Sequence, residues 1–462
     1  MSAILRPLAY LLSARWAREG LQAVFFIYLA RKSAPTYGEF MLSLGLGSIL
    51  LMGVEFGLNY HLVGEIIRKG EKAGETLSQA LALKVCLLTV ALAGTWRFVS
   101  WQNYEAQLAW IMLLMGAGVG LEGLASTFFV ALQVAGRQDL EGKIRTVAAA
   151  LGFGYGLITL ALGVPPILIV LFKWVEALTN LVGGALTVRR LQGFSWRRPN
   201  LESMRRLLWT ASIFAIIELV AAIYNKANIF FLQNHGGVNA VAQYSAPWQI
   251  VEGLTALVSN LLLHQVMFPI FVRLWGTDQE EISRLARATA RWLTLAAFPL
   301  MFFLFVESDR IIPLIFGPRF QDAVWLLKYL APAIIIAFLH NLAGFLMMSM
   351  DRQRLLLLFY LGGLLANLGL CSWVIPLAPL PGAAAAIVLT KGVVALMTVL
   401  YVQRRLQIIT LALLRDMAVI SLVALILYGV GKIHLPRLLA ESLALAPFLW
   451  AGWRWRRLDK RQ

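Results

Sequence analysis

The sequence is poor in charge, histidine and cysteine. Of its 462 residues, 14% are charged and 60% are hydrophobic, with five histidines and two cysteines. A soluble domain carries about 25% charged residues. The mean hydropathy of +0.73 therefore excludes a disordered chain, a coiled coil and a secreted disulfide scaffold. Cys86 and Cys371 lie in apolar runs and cannot form a disulfide framework.

Motifs of ATPases, hydrolases and metalloenzymes are also missing. The chain has no GxxxxGK[ST], GxSxG or HExxH motif. Its histidines and cysteines show no metal-ligand spacing. We therefore predict no catalytic residue, no metal site and no resident cofactor. The glycines of Gly152-x-Gly154-x-Gly156 lie in an apolar run, where glycine favours close helix packing over phosphate binding.

Long apolar runs dominate the chain. A membrane-spanning helix needs about 20 mostly apolar residues, and fourteen runs meet that need. Arg15, Arg18 and Glu19 lie inside the first run, which argues against a cleaved signal peptide. The sequence predicts an all-α polytopic membrane protein with no room for a folded soluble domain. The predicted spans are 10–30, 40–64, 79–99, 107–132, 146–162, 167–188, 209–232, 241–268, 292–306, 323–348, 355–375, 382–402, 414–428 and 438–452.

Loop charges predict the orientation of these spans. With the N-terminus inside, 27 Lys and Arg residues fall on the inner side and 7 on the outer side. Short cytoplasmic loops carry an excess of Lys and Arg, so both chain ends are predicted to be cytoplasmic. Much of the net charge of +17 is then a topology signal facing anionic lipid headgroups. The charge does not require a nucleic-acid partner.

An internal repeat divides the chain. At one offset of 215 residues, Trp110 matches Trp325, Arg137-Gln138 matches Arg352-Gln353, and Arg189-Arg190-Leu191 matches Arg404-Arg405-Leu406. Spans 4–6 therefore resemble spans 10–12. This predicts two pseudo-symmetric six-helix lobes of the same orientation around a central cavity, an arrangement suited to alternating access. The predicted parts are an N-terminal lobe 1–190, a cytoplasmic linker 191–208, a C-terminal lobe 209–403, and accessory spans 13–14 with a basic tail, 404–462.

Charged side chains also lie inside the predicted spans. Each would cost ~2.5–3.5 kcal/mol at mid-membrane if it faced lipid, so most must face a cavity, form ion pairs or snorkel. Several share one helix face: Arg15, Arg18 and Gln22 at i, i+3, i+7, and Lys173, Glu176 and Asn180 likewise. Spans 13 and 14 lack such a stripe, which places them outside the cavity. The cationic candidates are Arg15, Arg18, Lys173, Lys226 and Lys391, and the other polar cavity candidates are Glu19, Glu55, Asn59, Glu122, Glu176, Glu218, Asn225 and Glu252.

Simpler interpretations compete for some of these residues. Lys84 and Lys328 lie about five residues from a predicted span end, so snorkelling explains both. Lys173 and Glu176 could form a structural ion pair. His340 and His264 are interpreted as hydrogen-bonding between helices.

Two stretches carry a family resemblance. One runs from Leu29-Ala30-Arg31 through Pro35-Thr36-Tyr37-Gly38-Glu39-Phe40 to Glu55-Phe56-Gly57-Leu58. The other is Pro313-Leu314-Ile315-Phe316-Gly317-Pro318-Arg319-Phe320, before span 10. Together with the 6+6+2 layout, they resemble the polysaccharide-repeat-unit (O-antigen-type) flippases of the multidrug/oligosaccharidyl-lipid/polysaccharide (MOP) exporter superfamily. Glu55 stands where aspartate is common in that family.

The resemblance implies a cargo and a place. The cargo would be an oligosaccharide on a polyprenyl pyrophosphate, moved across the bacterial inner membrane for lipopolysaccharide or other surface polysaccharide. A buried pyrophosphate requires cations, and Arg15, Arg18, Lys226 and Lys391 are the first candidates, with Lys173 next. Carboxylates such as Glu55, Glu122, Glu218 and Glu252 could bind H⁺ or Na⁺ for coupling. Expected partners are the lipid-linked oligosaccharide, membrane lipids and other polysaccharide-assembly proteins.

Three alternatives stay open from the sequence. A drug/cation antiporter of the same superfamily should have a cavity dominated by acids. A polytopic glycosyltransferase or O-antigen polymerase/ligase should have a large outer loop with catalytic residues, whereas the longest outer connection here is 307–322. A non-transporting scaffold would have no reason to retain charges on cavity-facing stripes.

Overall fold

The computed structural model describes residues 2–69, 73–192 and 199–459. Within these ranges the secondary structure is helical and no strand occurs. The elements are α1 (Ser2–Lys32), α2 (Ala34–Glu55), α3 (Leu58–Lys69), α4 (Ala73–Trp101), α5 (Ala106–Val134), α6 (Gln138–Leu162), α7 (Pro166–Ile169), α8 (Phe172–Gln192), α9 (Leu201–Val258), a π-helix (Ser259–Met267), α10 (Phe268–Leu274), α11 (Gln279–Phe316), α12 (Gln321–Leu330), α13 (Ala333–Ser349), α14 (Gln353–Val374), α15 (Pro379–Leu406), α16 (Leu411–His434) and α17 (Arg437–Asp459).

The helices confirm a polytopic all-α membrane protein. Among the described residues, ten helical segments are long and apolar enough to cross a membrane, or eleven with the bent pair α12–α13 counted as one span. One of them, Leu201–Leu274, contains two predicted spans, and Gly237 interrupts its helical backbone with a φ of 71°. The first and last predicted spans lie on α1 and α17, which are not among the ten. Apolar length alone thus supports fewer spans than the fourteen predicted.

The chain forms two compact units, Met1–Ala242 and Gln243–Gln462. In unit 1, α5 packs against α2, α4 and α8, while α6 packs against α1 and α8. In unit 2, α15 packs against α13 and α14, and α16 and α17 form a hairpin that contacts α11. The lobes 1–190 and 209–403 remain a prediction.

One turn in each unit supports the internal repeat at an offset of 215 residues. Helices α6 and α14 begin at Gln138 and Gln353, after residues with nearly the same backbone angles. The preceding residues, Gly136 and Asp351, both have positive φ, 69° and 56°. The turn closes with equivalent hydrogen bonds, one from the Arg137 amide to the Leu132 carbonyl and one from the Arg352 amide to the Met347 carbonyl. The two units therefore use the same helix–turn–helix geometry.

The second predicted span, 40–64, is broken rather than continuous. Helix α2 ends at Glu55, and Phe56 and Gly57 have left-handed φ values of 45° and 62°. A Cβ on Gly57 would lie 3.0 Å from the amide nitrogen of Ala215 and 3.1 Å from the carbonyl oxygen of Ala211, both on α9. A Cβ on Gly38 would collide with the carbonyl oxygen of Val238. Both glycines of the first resemblance stretch thus permit close backbone approach to α9.

We expect Gly57→Ala to destabilise the protein by about 1–2 kcal/mol, because alanine disfavours left-handed φ and its methyl group would crowd α9. Gly53→Ala is the matched control. Gly53 lies inside α2, and no side chain or neighbouring helix comes within 4 Å of the position that a Cβ would take, so alanine there should be neutral or stabilising. Thermal denaturation of the purified protein measures both changes. Equal melting temperatures for the two variants would contradict the assigned backbone conformation.

Candidate functional site

Unit 1 encloses a cluster of two cations and two carboxylates, Arg18, Lys173, Glu122 and Glu176. Arg18 Nε lies 2.6 Å from Glu176 Oε1, and Arg18 Nη2 lies 3.7 Å from Glu122 Oε1. Lys173 Nζ lies 2.6 Å from Glu122 Oε1 and 2.9 Å from Glu176 Oε2. Lys173 and Glu176 are buried. The two positive and two negative charges compensate each other, which makes their removal from water tolerable. We call these four residues the ion cluster.

Glycines bring the helices of the ion cluster together. A Cβ on Gly118 of α5 would lie 3.0 Å from Cγ of Lys173 on α8. A Cβ on Gly152 of α6 would lie 2.7 Å from Cβ of Glu176. The predicted packing role of Gly152 is therefore confirmed. The indole nitrogen of Trp174 also donates to the carbonyl of Leu114, 2.8 Å away, and joins α8 to α5.

Four phenylalanine rings pack together next to the ion cluster. Phe25, Phe40, Phe153 and Phe172 are at most 1% exposed. The centroids of Phe25 and Phe172 are 4.6 Å apart, and the rings of Phe40 and Phe172 are stacked. Phe172 directly precedes Lys173, and Phe25 lies two helical turns beyond Arg18 on α1. The aromatic packing therefore adjoins the ion cluster on both α1 and α8.

Lys84 is a buried site residue that the sequence interpretation missed. Its side chain is 0% exposed, and its Nζ donates to Asn59 Oδ1 at 2.8 Å, to the Gly123 carbonyl at 2.9 Å and to Ser126 Oγ at 3.0 Å. The snorkelling interpretation was wrong for Lys84. Helix α4 begins at Ala73, earlier than the predicted span, so Lys84 lies deeper in the helix than its distance from residue 79 implied.

A cavity of about 260 Å³ lies beside Lys84 and the α2–α3 break. Asn59 Nδ2 lies 3.1 Å from Glu55 Oε1 and 3.2 Å from Ser126 Oγ, so Glu55 and Asn59 meet across the break rather than along one continuous helix face. The predicted span 40–64 would place one continuous helical turn between them, which the left-handed Phe56 and Gly57 prevent. The cavity is lined by Glu55, Gly57, Asn59, Ser126, Phe129, Val130, Gln133, Arg145 and Glu218. We call it the break cavity.

In unit 2, Lys391 is half-buried on α15. Its Nζ lies 5.4 Å from the ring centroid of Trp248, within cation–π range. Two helical turns beyond Lys391 on α15, Thr398 Oγ1 lies 3.1 Å from Nδ1 of the buried His340, and the Tyr360 hydroxyl lies 3.4 Å from His340 Nε2. The prediction that His340 hydrogen-bonds between helices is confirmed, because these contacts link α13 to α14 and α15.

The remaining candidate site residues whose side chains are described lie outside the ion cluster and the break cavity. Glu19 is exposed, with its Oε1 3.6 Å from Arg18 Nη1. Asn225 and Lys226 are half-buried on α9, and Asn225 Nδ2 donates to the Ala221 carbonyl at 2.8 Å. Glu252 is half-buried on the part of α9 that belongs to unit 2. Arg15 lies outside the residues whose side chains are described. In unit 1 the other candidates thus fall into the ion cluster and the break cavity.

A metal site has no support among these positions. Within the described ranges, no group of three or more His, Cys, Asp or Glu side chains is arranged to hold a metal ion.

Comparison with known proteins assigns the chain to a family. A family model described as polysaccharide biosynthesis protein matches residues 33–325, and the chain belongs to that family. The probable low-salt glycan biosynthesis flippase Agl15 of Haloferax volcanii is 22% identical over 346 residues, which cover 73% of this chain and 70% of that protein.

Two solved structures share the fold. The lipid II flippase MurJ, in an inward closed conformation, matches with a TM-score of 0.76 at 10% identity, covering 98% of this chain and 100% of that one. An inward-facing MATE family multidrug resistance transporter of the MOP superfamily matches with a TM-score of 0.69 at 14% identity, covering 86% and 96%. The polysaccharide biosynthesis family implied by the sequence resemblance is therefore confirmed, and the fold is the one that these MurJ and MATE structures share.

Proposed function

We propose that this protein flips polyprenyl-pyrophosphate-linked oligosaccharide units across the bacterial inner membrane by alternating access, for cell-surface polysaccharide biosynthesis. The ion cluster of unit 1 carries the proposal, because it keeps two cations inside a membrane-spanning helix bundle. Family membership and the flippase names of Agl15 and MurJ support the same class of cargo. The protein is proposed to act as a transporter without a catalytic residue or cofactor.

Binding of the pyrophosphate has to compete with the carboxylates of the cluster. Arg18 and Lys173 are already compensated by Glu122 and Glu176. An anionic headgroup can therefore replace a carboxylate only if that carboxylate moves away or is protonated. Protonation of one carboxylate would leave two cations facing a single negative charge, and an anionic headgroup could then neutralise the excess positive charge. We therefore propose H⁺ as the coupling ion at this cluster.

A drug/cation antiporter is the second candidate, since the break cavity contains the carboxylates of Glu55 and Glu218. The MATE fold is also shared with this chain. The two candidates differ in their cargo. Reconstituted protein should accelerate flipping of a fluorescent polyprenyl-pyrophosphate oligosaccharide, faster under an inward proton gradient, and should not transport an organic cation such as ethidium. Ethidium transport without lipid flipping would overturn the flippase proposal.

We expect Lys391→Ala to reduce the flipping rate at least about tenfold while the protein still reaches the membrane. Lys391 is half-buried beside Trp248, and loss of a charge-assisted contact to the pyrophosphate costs about 1.5–3 kcal/mol. Lys432→Ala is the matched control, because Lys432 lies exposed in the last turn of α16. Proteoliposome flipping and membrane abundance are measured together. Wild-type flipping by Lys391→Ala would remove Lys391 from the substrate path.

A further inference from the structure

The break cavity has no part in the binding of the pyrophosphate described above. We propose that it binds one uncharged sugar ring of the cargo. This inference rests on the proposed flippase function and adds the place where the glycan is recognised. The cavity is near the lower end of the ~300–1,000 Å³ typical of small-molecule sites, so it fits a single ring rather than a longer glycan.

The lining of the cavity fits a ligand with many hydroxyl groups. Glu55 and Glu218 supply carboxylate acceptors, and the side-chain amide of Gln133 can donate and accept. Sugar hydroxyls can donate to the carboxylates and accept from the Gln133 amide. Two carboxylates would repel a pyrophosphate, so that group is directed to the ion cluster.

Arg145 does not make the cavity favour an anionic ligand over an uncharged sugar. Its Nε lies 2.8 Å from Glu141 Oε1, and its guanidinium lies 4.2 Å from the ring centroid of Phe129. The positive charge is therefore compensated by a carboxylate and packed on an aromatic face. Arg145 thus adds no uncompensated positive charge that could attract an anionic ligand into the cavity.

Lys84 argues against a metal ion or another small cation in the cavity. Its ammonium already lies within 3.0 Å of three oxygens, those of Asn59, Gly123 and Ser126. These are the neutral oxygens that a hard cation would need beside the two carboxylates. Lys84 also fixes the Asn59 amide, whose Oδ1 faces the ammonium and whose Nδ2 faces Glu55. Glu55 is thereby held in place as a hydrogen-bond acceptor for the ring.

The break in the second span adds an independent reason. Discontinuous membrane helices mark binding sites in transporters, because irregular backbone at that depth is tolerated where it lines a cavity. Here the left-handed residues Phe56 and Gly57 separate α2 from α3, and Gly57 itself lines the cavity. The break therefore produces the space that a sugar ring would fill.

The test compares lipids with and without one sugar. The probes are polyprenyl pyrophosphates that carry glucose, galactose, N-acetylglucosamine or N-acetylgalactosamine, and the sugar-free polyprenyl pyrophosphate. The full-length protein should bind at least one glycosylated lipid about tenfold more tightly than the sugar-free lipid. Glu55→Gln and Glu218→Gln should each remove most of that difference and leave the affinity for the sugar-free lipid unchanged. Glu105→Gln is the control, because Glu105 is an exposed carboxylate of unit 1, and this variant should retain the wild-type difference in affinity between the glycosylated and the sugar-free lipid.

A labelling experiment locates the sugar. Gln133 lines the cavity and is exposed, so Gln133→Cys in a Cys86→Ser background should react with a maleimide. The preferred glycosylated lipid should slow this reaction, and the sugar-free lipid should not.

Equal protection by both lipids, protection by Na⁺ or ethidium, or no sugar preference in the wild-type protein would overturn the inference. If one of these outcomes appears while the wild-type protein still flips lipid-linked oligosaccharide, the sugar site is rejected and the flippase function stands. If the wild-type protein flips no lipid-linked oligosaccharide, the proposed flippase function is rejected.

Discussion

Lys84→Glu is expected to lower the free energy of unfolding by about 3–5 kcal/mol and to abolish accumulation of the protein in the membrane. The ammonium of Lys84 is fully enclosed and donates to three oxygens, so a carboxylate there would lose all three hydrogen bonds and bury an unpaired negative charge, with Glu55 beyond Asn59. Lys84→Met removes the charge as well as the donors and should cost less, about 1–3 kcal/mol for the unsatisfied acceptors. Thermal denaturation in detergent and membrane abundance measure these changes.

Lys143→Glu is the control for Lys84→Glu, because Lys143 lies exposed near the start of α6 in the same unit. It should change stability by no more than about 0.5 kcal/mol. If Lys84→Glu accumulates as well as Lys143→Glu does, the side chain of residue 84 reaches water. The snorkelling interpretation would then be restored.

Glu176→Gln is expected to destabilise the protein by about 3–5 kcal/mol and to stop flipping. Glu176 is 0% exposed and contacts both Arg18 and Lys173, so its neutralisation leaves two cations for Glu122 alone. Glu202→Gln is the matched control, since Glu202 is exposed in the first turn of α9. Calorimetry of the purified proteins and proteoliposome flipping are the measurements.

The double variant Arg18→Gln/Glu176→Gln separates stability from transport. It restores charge balance in the cluster, with Lys173 facing Glu122, and should recover about 0.5–3 kcal/mol relative to the sum of the single changes. Flipping should remain lost, because Arg18 is a proposed ligand of the pyrophosphate. Additive destabilisation would show that Arg18 and Glu176 are not energetically coupled. Restored flipping would remove Arg18 from the substrate path.

The charged residues that meet inside unit 1 could be selected from the sequence, whereas their mutual arrangement could not. Arg18, Glu122, Lys173 and Glu176 could be selected because each lies inside a predicted span and would be too costly if it faced lipid. The sequence also placed Lys173 and Glu176 on one face of one helix, and they do contact each other. It could not show that Arg18 contacts Glu176, since 158 residues separate them.

The break after Glu55 and the depth of Lys84 could not be predicted, for local reasons. Helical periodicity assumes an unbroken helix, and Phe56-Gly57 interrupts the helix between Glu55 and Asn59. Gly57 was visible as part of a resemblance stretch, but its positive φ depends on close approach to Ala211 and Ala215 of α9. For Lys84, hydropathy set the span start at residue 79, whereas the helix includes polar residues from Ala73 onward. Depth in the bundle was therefore underestimated.

The sequence by itself determined the membrane class, the polytopic helical fold, the repeat and the family. These features follow from apolar length and from turn residues, which lipid and backbone geometry constrain locally along the chain. Only the tertiary structure decided which buried charges compensate one another and that Lys84 holds Asn59, Gly123 and Ser126 together. Those contacts depend on how neighbouring helices are rotated about their own axes. That rotation is set by packing between helices, at glycines such as Gly118 and Gly152.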